Sequence, residues 1–308
     1  MILNNRTSEI ISKFKLQYKA EFFLLLTAIF WGLSFPLIKI GLIYVSPFAF
    51  VFYRFLITAI IFILIFRKRL PGIKFKELKY GFILGIFLYI GFITQTIGLK
   101  YTSAANSAFI TGTNIVLIPF VQILLVKTKP KIENIVGIII VVIGLIFLTN
   151  IKNANFNFGD FITLFCAASF AIYIVLLDKY YKRTGYFELI YGQFITMVFL
   201  CLLGMIFIEH LILDEYYFEL NFDSASTLIF TSLLATLLGL YIAIKYQKFT
   251  TPIRAGLIYN MEQIFAVIFA YFIINEIMSF NQVIGAIIMF TGLLISEFYR
   301  EFKSFKKK

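Results

Sequence analysis

Apolar stretches of roughly 18 to 25 residues recur from one end of this 308-residue chain to the other, each long enough to cross the ~30 Å hydrocarbon core of a bilayer as a helix. A soluble α/β chain of the same length would instead alternate short apolar strands with polar loops. Composition agrees: 61% of the residues are hydrophobic and 14% charged, against about 25% charged in an ordinary soluble domain. The pattern predicts an all-α integral membrane protein of ten transmembrane helices, near 20–43, 46–66, 79–99, 104–126, 133–149, 159–178, 187–208, 225–246, 253–275 and 280–297.

Lys and Arg decide which way those helices run, because positively charged loops resist translocation. With the N-terminus inside, the inner segments hold 24 of the 28 Lys and Arg residues; Lys100 and Lys152 lie outside, and Lys39 and Arg54 lie within helices. The longest outer loop, EHLILDEYYFELNFDSAS, is acidic and carries neither Lys nor Arg. The expected protein therefore keeps both termini in the cytoplasm and sits in a cell membrane of the bacterial inner-membrane kind. The net charge of +12 is spread over short loops and tails and not gathered in a stripe, so nucleic acid is not an expected partner. Cys166 and Cys201 both fall inside apolar runs, which leaves neither a disulfide framework nor a metal cluster.

Residues 20–149 and 159–297 read as two copies of one five-helix unit, joined by an external linker at 150–158 and flanked by basic tails at 1–19 and 298–308. Self-similarity at a fixed offset is the sign of such duplication. At an offset of 139, FYRFLIT pairs with YGQFITM and Glu21-Phe22 with Asp160-Phe161. At 148, Gly91 pairs with Gly239, Lys100 with Lys248, Thr102 with Thr250, Gly137 with Gly285 and Gly144 with Gly292. Five is odd, so the second copy enters the membrane upside down relative to the first, the inverted-repeat arrangement of many secondary transporters. The glycines at seven-residue spacing give the fifth and tenth helices one small-residue face each, open to two readings: packing within the chain, or the seam of a homodimer.

Three stretches carry a family resemblance: AIFWGLSFPLIKIGL in the first helix, SPFAFVFYRFL at the start of the second, and EQIFAVIFAYFIINEIMSFNQVIGAIIMFTGLLI across the ninth and tenth. They resemble the drug/metabolite transporter superfamily, in its ten-helix EamA-type branch with two five-helix repeats. The first repeat keeps Pro119 but ends LLVKTKPK where such proteins often show a Glu; only the second repeat has that acid, at Glu276. The resemblance implies a carrier of metabolites or toxic small molecules with a central cavity lined by helices 1, 3, 4, 6, 8 and 9. It names no substrate.

An ionisable group in hydrocarbon costs from about 2.5 kcal/mol upward unless it is paired or wetted, so each one marks a functional hypothesis. Arg54 and Glu262 both fall near mid-membrane. Glu262 reads as a site for a proton or a cationic substrate, and Arg54 as a coupling charge; the competing reading ties the two together, or ties Arg54 to backbone, as a structural brace. Lys39, one turn from the outer end of the first helix, either snorkels to the headgroups or serves as an outer-gate charge. Glu276 and Asp178 fall at helix ends, where solvation accounts for them. Among uncharged groups, Gln95, Thr96, Thr111, Asn114, Tyr173, Tyr241 and Asn260 lie on the helices that the resemblance assigns to the cavity, and could bind substrate or glue helices. Trp31, the single tryptophan, lies away from the interfacial belts, which favours a cavity wall. Pro36 and Pro119 each remove a backbone hydrogen bond inside a span and are candidate hinges.

This organisation favours secondary transport of a small metabolite or drug-like solute by alternating access, as export or exchange, with protons as the candidate coupling ion and no cofactor. A membrane-embedded enzyme or a flippase for a lipid-linked substrate is the alternative. The chain has one His, His210, in the outer loop. It has no mid-membrane carboxylate cluster fit for Mg²⁺ and no HExxH or GxSxG in a suitable context, so an enzyme is not expected. A channel would show a repeated selectivity element or a ring of like charge. An ATP-driven pump would need a GxxxxGK[ST] loop.

Overall fold

A computed structural model of the chain describes residues 2–73, 75–130, 132–148, 157–277, 279–281, 283–285, 287–292 and 295. Among these the chain is helical, with one isolated antiparallel bridge between Val45 and Phe218. Eight helices are long and apolar enough to cross a membrane: Leu16–Gly41, Pro47–Arg69, Phe75–Tyr101, Ala104–Val126, Phe158–Tyr181, Tyr186–Ile212, Phe222–Phe249 and Pro252–Ile274. Two shorter apolar helices, Ile135–Gly144 and Val283–Gly292, stand where the fifth and tenth spans were expected. Most of the linker, including Lys152, the end of the tenth predicted helix and the C-terminal tail lie outside the described residues.

Local chemistry sets the helix boundaries. The helix α1 (Ile2–Gly41) is continuous for 40 residues, so the basic N-terminal segment extends the first span as a helix. Pro47 opens α2 (Pro47–Phe66), its missing N–H harmless in the first turn. After α3 (Phe75–Tyr101), the Ser103 side chain accepts from Asn106 N and starts α4 (Ala104–Gly112), which breaks at Thr113 before α5 (Asn114–Val126). Next come α6 (Ile132–Leu148), then α7 (Phe158–Tyr181), whose Asn157 and Asp160 form a reciprocal capping box, and α8 (Tyr186–Leu203). The chain continues through α9 (Phe222–Phe230), α10 (Gly239–Tyr246), α11 (Pro252–Tyr259) and α12 (Met261–Ile274). The break at Thr113 comes upstream of Pro119, which α5 carries inside an intact helix. The two proposed hinge prolines, Pro36 and Pro119, both lie within continuous helices.

The duplication reappears in this local geometry. The Ala104–Val126 and Pro252–Ile274 spans both start from a Ser/Thr cap, Ser103 and Thr251, whose oxygen accepts a backbone N–H three residues on. Each breaks mid-span, at Thr113 and at Asn260, and each ends on a left-handed residue, Lys127 with φ 57° and Asn275 with φ 54°.

One expectation needs correction. The acidic outer loop is shorter than the sequence suggested, because the Tyr186–Ile212 span continues beyond α8 as a π-helical segment, Gly204–Ile212. Glu209 and His210 are therefore helical. Glu209 is buried and its two oxygens accept from Phe48 N at 2.9 Å and Ala49 N at 3.0 Å, capping α2 from the other repeat. What remains of the loop is strapped to the turn between α1 and α2: Ser46 N donates to Tyr217 O, Glu219 N to Tyr44 O, and the Tyr217 hydroxyl to Leu42 O. Burial pushes the Tyr217 phenol above its ordinary range.

The small-residue faces of the fifth and tenth helices turn towards each other. A Cβ built on Gly144 would lie 2.6 Å from Met289 Cγ and 2.8 Å from Gly285 O, and one on Gly292 would lie 3.0 Å from the Ile140 side chain. The seam is thus closed within the chain. Elsewhere the surface is apolar over large side chains, with Leu124 76% and Phe272 74% exposed, as hydrocarbon permits and water penalises.

Candidate functional site

A cavity of about 50 Å³ lies among the helices, lined by Trp31 and Ser34 of α1, Arg54 of α2, Leu88, Phe92 and Gln95 of α3, Thr111 of α4 and Asn114 of α5. Phe170, Tyr173 and Ile174 of α7, Leu240 and Ala243 of α10, Tyr259 of α11 and Glu262 of α12 complete the wall. Both halves of the chain therefore contribute to one cavity. Its character is aromatic, with two opposite charges set into it.

Arg54 and Glu262 face this space from different halves. The Arg54 guanidinium, 1% exposed, donates from Nε to Thr236 Oγ1 at 2.5 Å and lies over the Phe92 ring, 4.7 Å from its centroid. Thr236 Oγ1 donates in turn to Thr231 O at 2.7 Å. Among the described residues Arg54 and Glu262 do not meet in a salt bridge. The brace expected between them is therefore not formed at contact distance, and the Arg54 tie runs instead to a hydroxyl and a ring. The Glu262 carboxylate, in a residue 8% exposed, makes no side-chain hydrogen bond among the described residues.

The polar wall is ordered by side-chain bonds. Trp31 Nε1 donates to Ala235 O at 2.8 Å, and the indole lies 5.1 Å from the Tyr259 ring centre to centre. Gln95 Nε2 donates to Thr111 Oγ1 at 3.2 Å. The Tyr173 hydroxyl donates to Gln193 Oε1 at 2.8 Å. Thr96, buried beside the wall, turns its hydroxyl back to Phe92 O.

Not every expected wall residue reaches the cavity. Asn260 is fully buried at the α11–α12 break and donates to Asn114 Oδ1 at 3.1 Å, which ties the breaks of the two repeats together. Tyr241 stacks on Phe66 and receives the Lys245 ammonium on its hydroxyl, inside an aromatic cluster with Tyr186. The Lys39 ammonium donates to Leu99 O, at 2.8 Å, and to Thr102 O, at the end of α3. Positive charge suits those unpaired carbonyls. Glu276 accepts from Ala104 N at 3.3 Å and so caps α4. Asp178 pairs with Lys182 at 2.9 Å, one turn on.

Sequence reasoning missed the apolar wall. Its signal was periodicity: Leu88, Phe92 and Gln95 are spaced by four and three, as are Phe170 and Tyr173 by three and Leu240 and Ala243 by three, the spacing of one helical face. It also missed Arg254, which lies buried in α11 and pairs with Glu21 of α1 at 3.5 Å.

The sequence matches the EamA-like transporter family twice over, at residues 18–150 and 157–298. The chain belongs to that family. The two matches coincide with the two halves that build the cavity, and they establish an integral membrane protein of transporter kind. Among relatives of this EamA-like chain, an uncharacterized transporter of Archaeoglobus fulgidus is 31% identical over 276 residues, covering 90% of this chain and 85% of its own. The uncharacterized transporter YyaM of Bacillus subtilis is 27% identical over 281 residues, 87% of this chain and 90% of its own. A protein of known crystal structure superposes with a TM-score of 0.72 at 16% identity, covering 91% of this chain and 96% of its own; this likeness concerns the fold.

Proposed function

We propose that this EamA-like chain is a secondary transporter that carries a small metabolite or drug-like solute through the Glu262 cavity by alternating access, as export or exchange. The observation that carries this reading is the cavity itself, which takes its two charges from different repeats and leaves them unpaired with each other. A solute bound there touches both halves at once, so its binding energy can bias how they pack. Glu262 is the group proposed to take up a proton or a cationic part of the solute, and Arg54 the charge that balances it.

In this reading the chain has ten spans, in two inverted five-helix repeats, with both termini in the cytoplasm of the cell. Contacts between helix ends support the inversion. The start of α7 meets the end of α3, where the Thr102 hydroxyl donates to Asp160 Oδ1 at 2.6 Å. The loop after α12 meets the start of α4 through Glu276 and Ala104. The start of α11 meets α1 near Glu21, far along the helix from Lys39. Followed along the chain, these contacts run α1 and α7, the first helices of the two repeats, in opposite directions. A homodimer would have to use a face other than the glycine seam, which is closed within the chain.

Alternating access is tested by single cysteines at Ser34 and Asn114, both on the wall, in a background with Cys166 and Cys201 replaced by alanine. Each should react with an impermeant thiol reagent from one face of the membrane in one condition and from the opposite face in another. Labelling from neither face in every condition overturns the cavity as a transport site.

A further inference from the structure

The Phe222–Phe249 span is not α-helical throughout: Thr231–Leu238 is wound as a π-helix. A π turn holds one residue more than an α turn and persists only where something compensates the displaced hydrogen bonds. Here the compensation comes from the other repeat. At the end of the segment, Gly239 N–H bonds to Leu234 O, five residues back, and to Thr236 O. In a regular α-helix that N–H would go four back, to Ala235 O. Ala235 O is already taken by the Trp31 indole at 2.8 Å. The Thr58 hydroxyl likewise occupies Ser232 O at 2.9 Å, and Arg54 holds the Thr236 hydroxyl. Gly239 makes room for this arrangement, since a Cβ there would stand 2.9 Å from Trp31 Nε1.

We infer that the Trp31 indole is the wedge that keeps this helix in its π register, and that a solute drawing the indole off Ala235 lets the helix rewind to α. The Trp31 indole occupies the carbonyl that Gly239 N–H would take in an α turn, while Gly239 N–H bonds elsewhere. Rewinding removes one residue from the wide turn, which rotates everything after it by about 100° and shifts it about 1.5 Å. Leu240 and Ala243 follow directly and line the cavity, so they turn out of the wall. The π turn thus converts contact with Trp31, on the first repeat, into a change of helix register in the second.

The test reads register and not transport, so it stands or falls apart from the transporter reading. In protein reconstituted without Cys166 and Cys201, Leu240→Cys and Phe170→Cys are labelled with methanethiosulfonate ethylammonium. Trp31→Phe keeps an aromatic ring and removes the donor; with the π form dominant in the parent, the roughly tenfold shift in equilibrium from a lost hydrogen bond should slow labelling at position 240 by up to about fivefold, and leave position 170 unchanged. Thr58→Val, which frees Ser232 O and also removes the hydroxyl's bond to Arg54 O, should act in the same direction. An unchanged rate at 240 in both variants overturns the inference. So does an equal change at 240 and 170, which would report a loosened cavity, or a residue 240 that never labels in the parent.

Discussion

Glu262→Gln is expected to abolish the dependence of transport on a pH gradient in proteoliposomes loaded with a solute identified by thermal-shift screening of the purified protein. Glutamine keeps the size and the acceptor oxygen of the carboxyl group and removes its charge and its titration. Coupling free energies between two sites typically run about 1–3 kcal/mol, or roughly 5- to 150-fold in affinity, so a loss of that size in gradient-driven accumulation is the expected reading. Exchange of solute down its own gradient should survive better than accumulation, because the wall formed by Trp31, Phe92, Gln95 and Tyr259 is untouched. A Glu262→Gln protein that accumulates solute with unaltered pH dependence rules out Glu262 as the coupling group. If binding itself fails at every pH, the carboxylate holds a cationic part of the solute instead.

Gly32→Val should be among the most damaging single changes at the interface of the two repeats. A Cβ at position 32 would lie 2.6 Å from Phe265 Cβ, 2.7 Å from Glu262 O and 2.9 Å from Ala266 N. Two of those three atoms belong to the α12 backbone, so no rotamer change can relieve the contact. Overpacking in a well-filled interior costs about 1–3 kcal/mol, and the rigidity of both partners puts this site at the upper end. The expected result is a lower thermal midpoint together with weaker solute binding, since Trp31 and Glu262 stand on either side of the contact. Gly72 provides the control: a Cβ there meets nothing within 4 Å, and Gly72→Ala should leave both measurements unchanged.

Eight of the ten expected spans were legible because the bilayer demands long apolar runs, and their observed ends fall within a few residues of the expected ones. The duplication was legible too, since Gly91, Gly137 and Gly144 recur at one offset as Gly239, Gly285 and Gly292. Of the charged and polar candidates, Trp31, Arg54, Gln95, Asn114, Tyr173 and Glu262 do line one cavity. What could not be read was which side of each helix faces protein. Lipid tails are as apolar as a protein core, so a membrane helix lacks the polar face that orients a soluble one. Tyr241 and Asn260 therefore sat on the right helices but turned to other neighbours, Phe66 and Asn114. Lys39 chose the carbonyls of Leu99 and Thr102, a pairing that only the packing of α1 on α3 creates. The π turns left no pattern in the sequence that marks them. In Thr231–Leu238 the carbonyls are held by Trp31 and Thr58, donors from distant parts of the chain.

The central claim is that two like halves lie antiparallel in one bilayer around the Glu262 cavity, and side-specific labelling of three single cysteines tests it most directly. Placed at Lys127, Arg183 and Asp214 in sealed right-side-out vesicles, the cysteine at 214 should react at once with an impermeant maleimide. Those at 127 and 183 should react only after the vesicles are opened. Reaction of all three from the same side would contradict the antiparallel arrangement and the transport mechanism built on it.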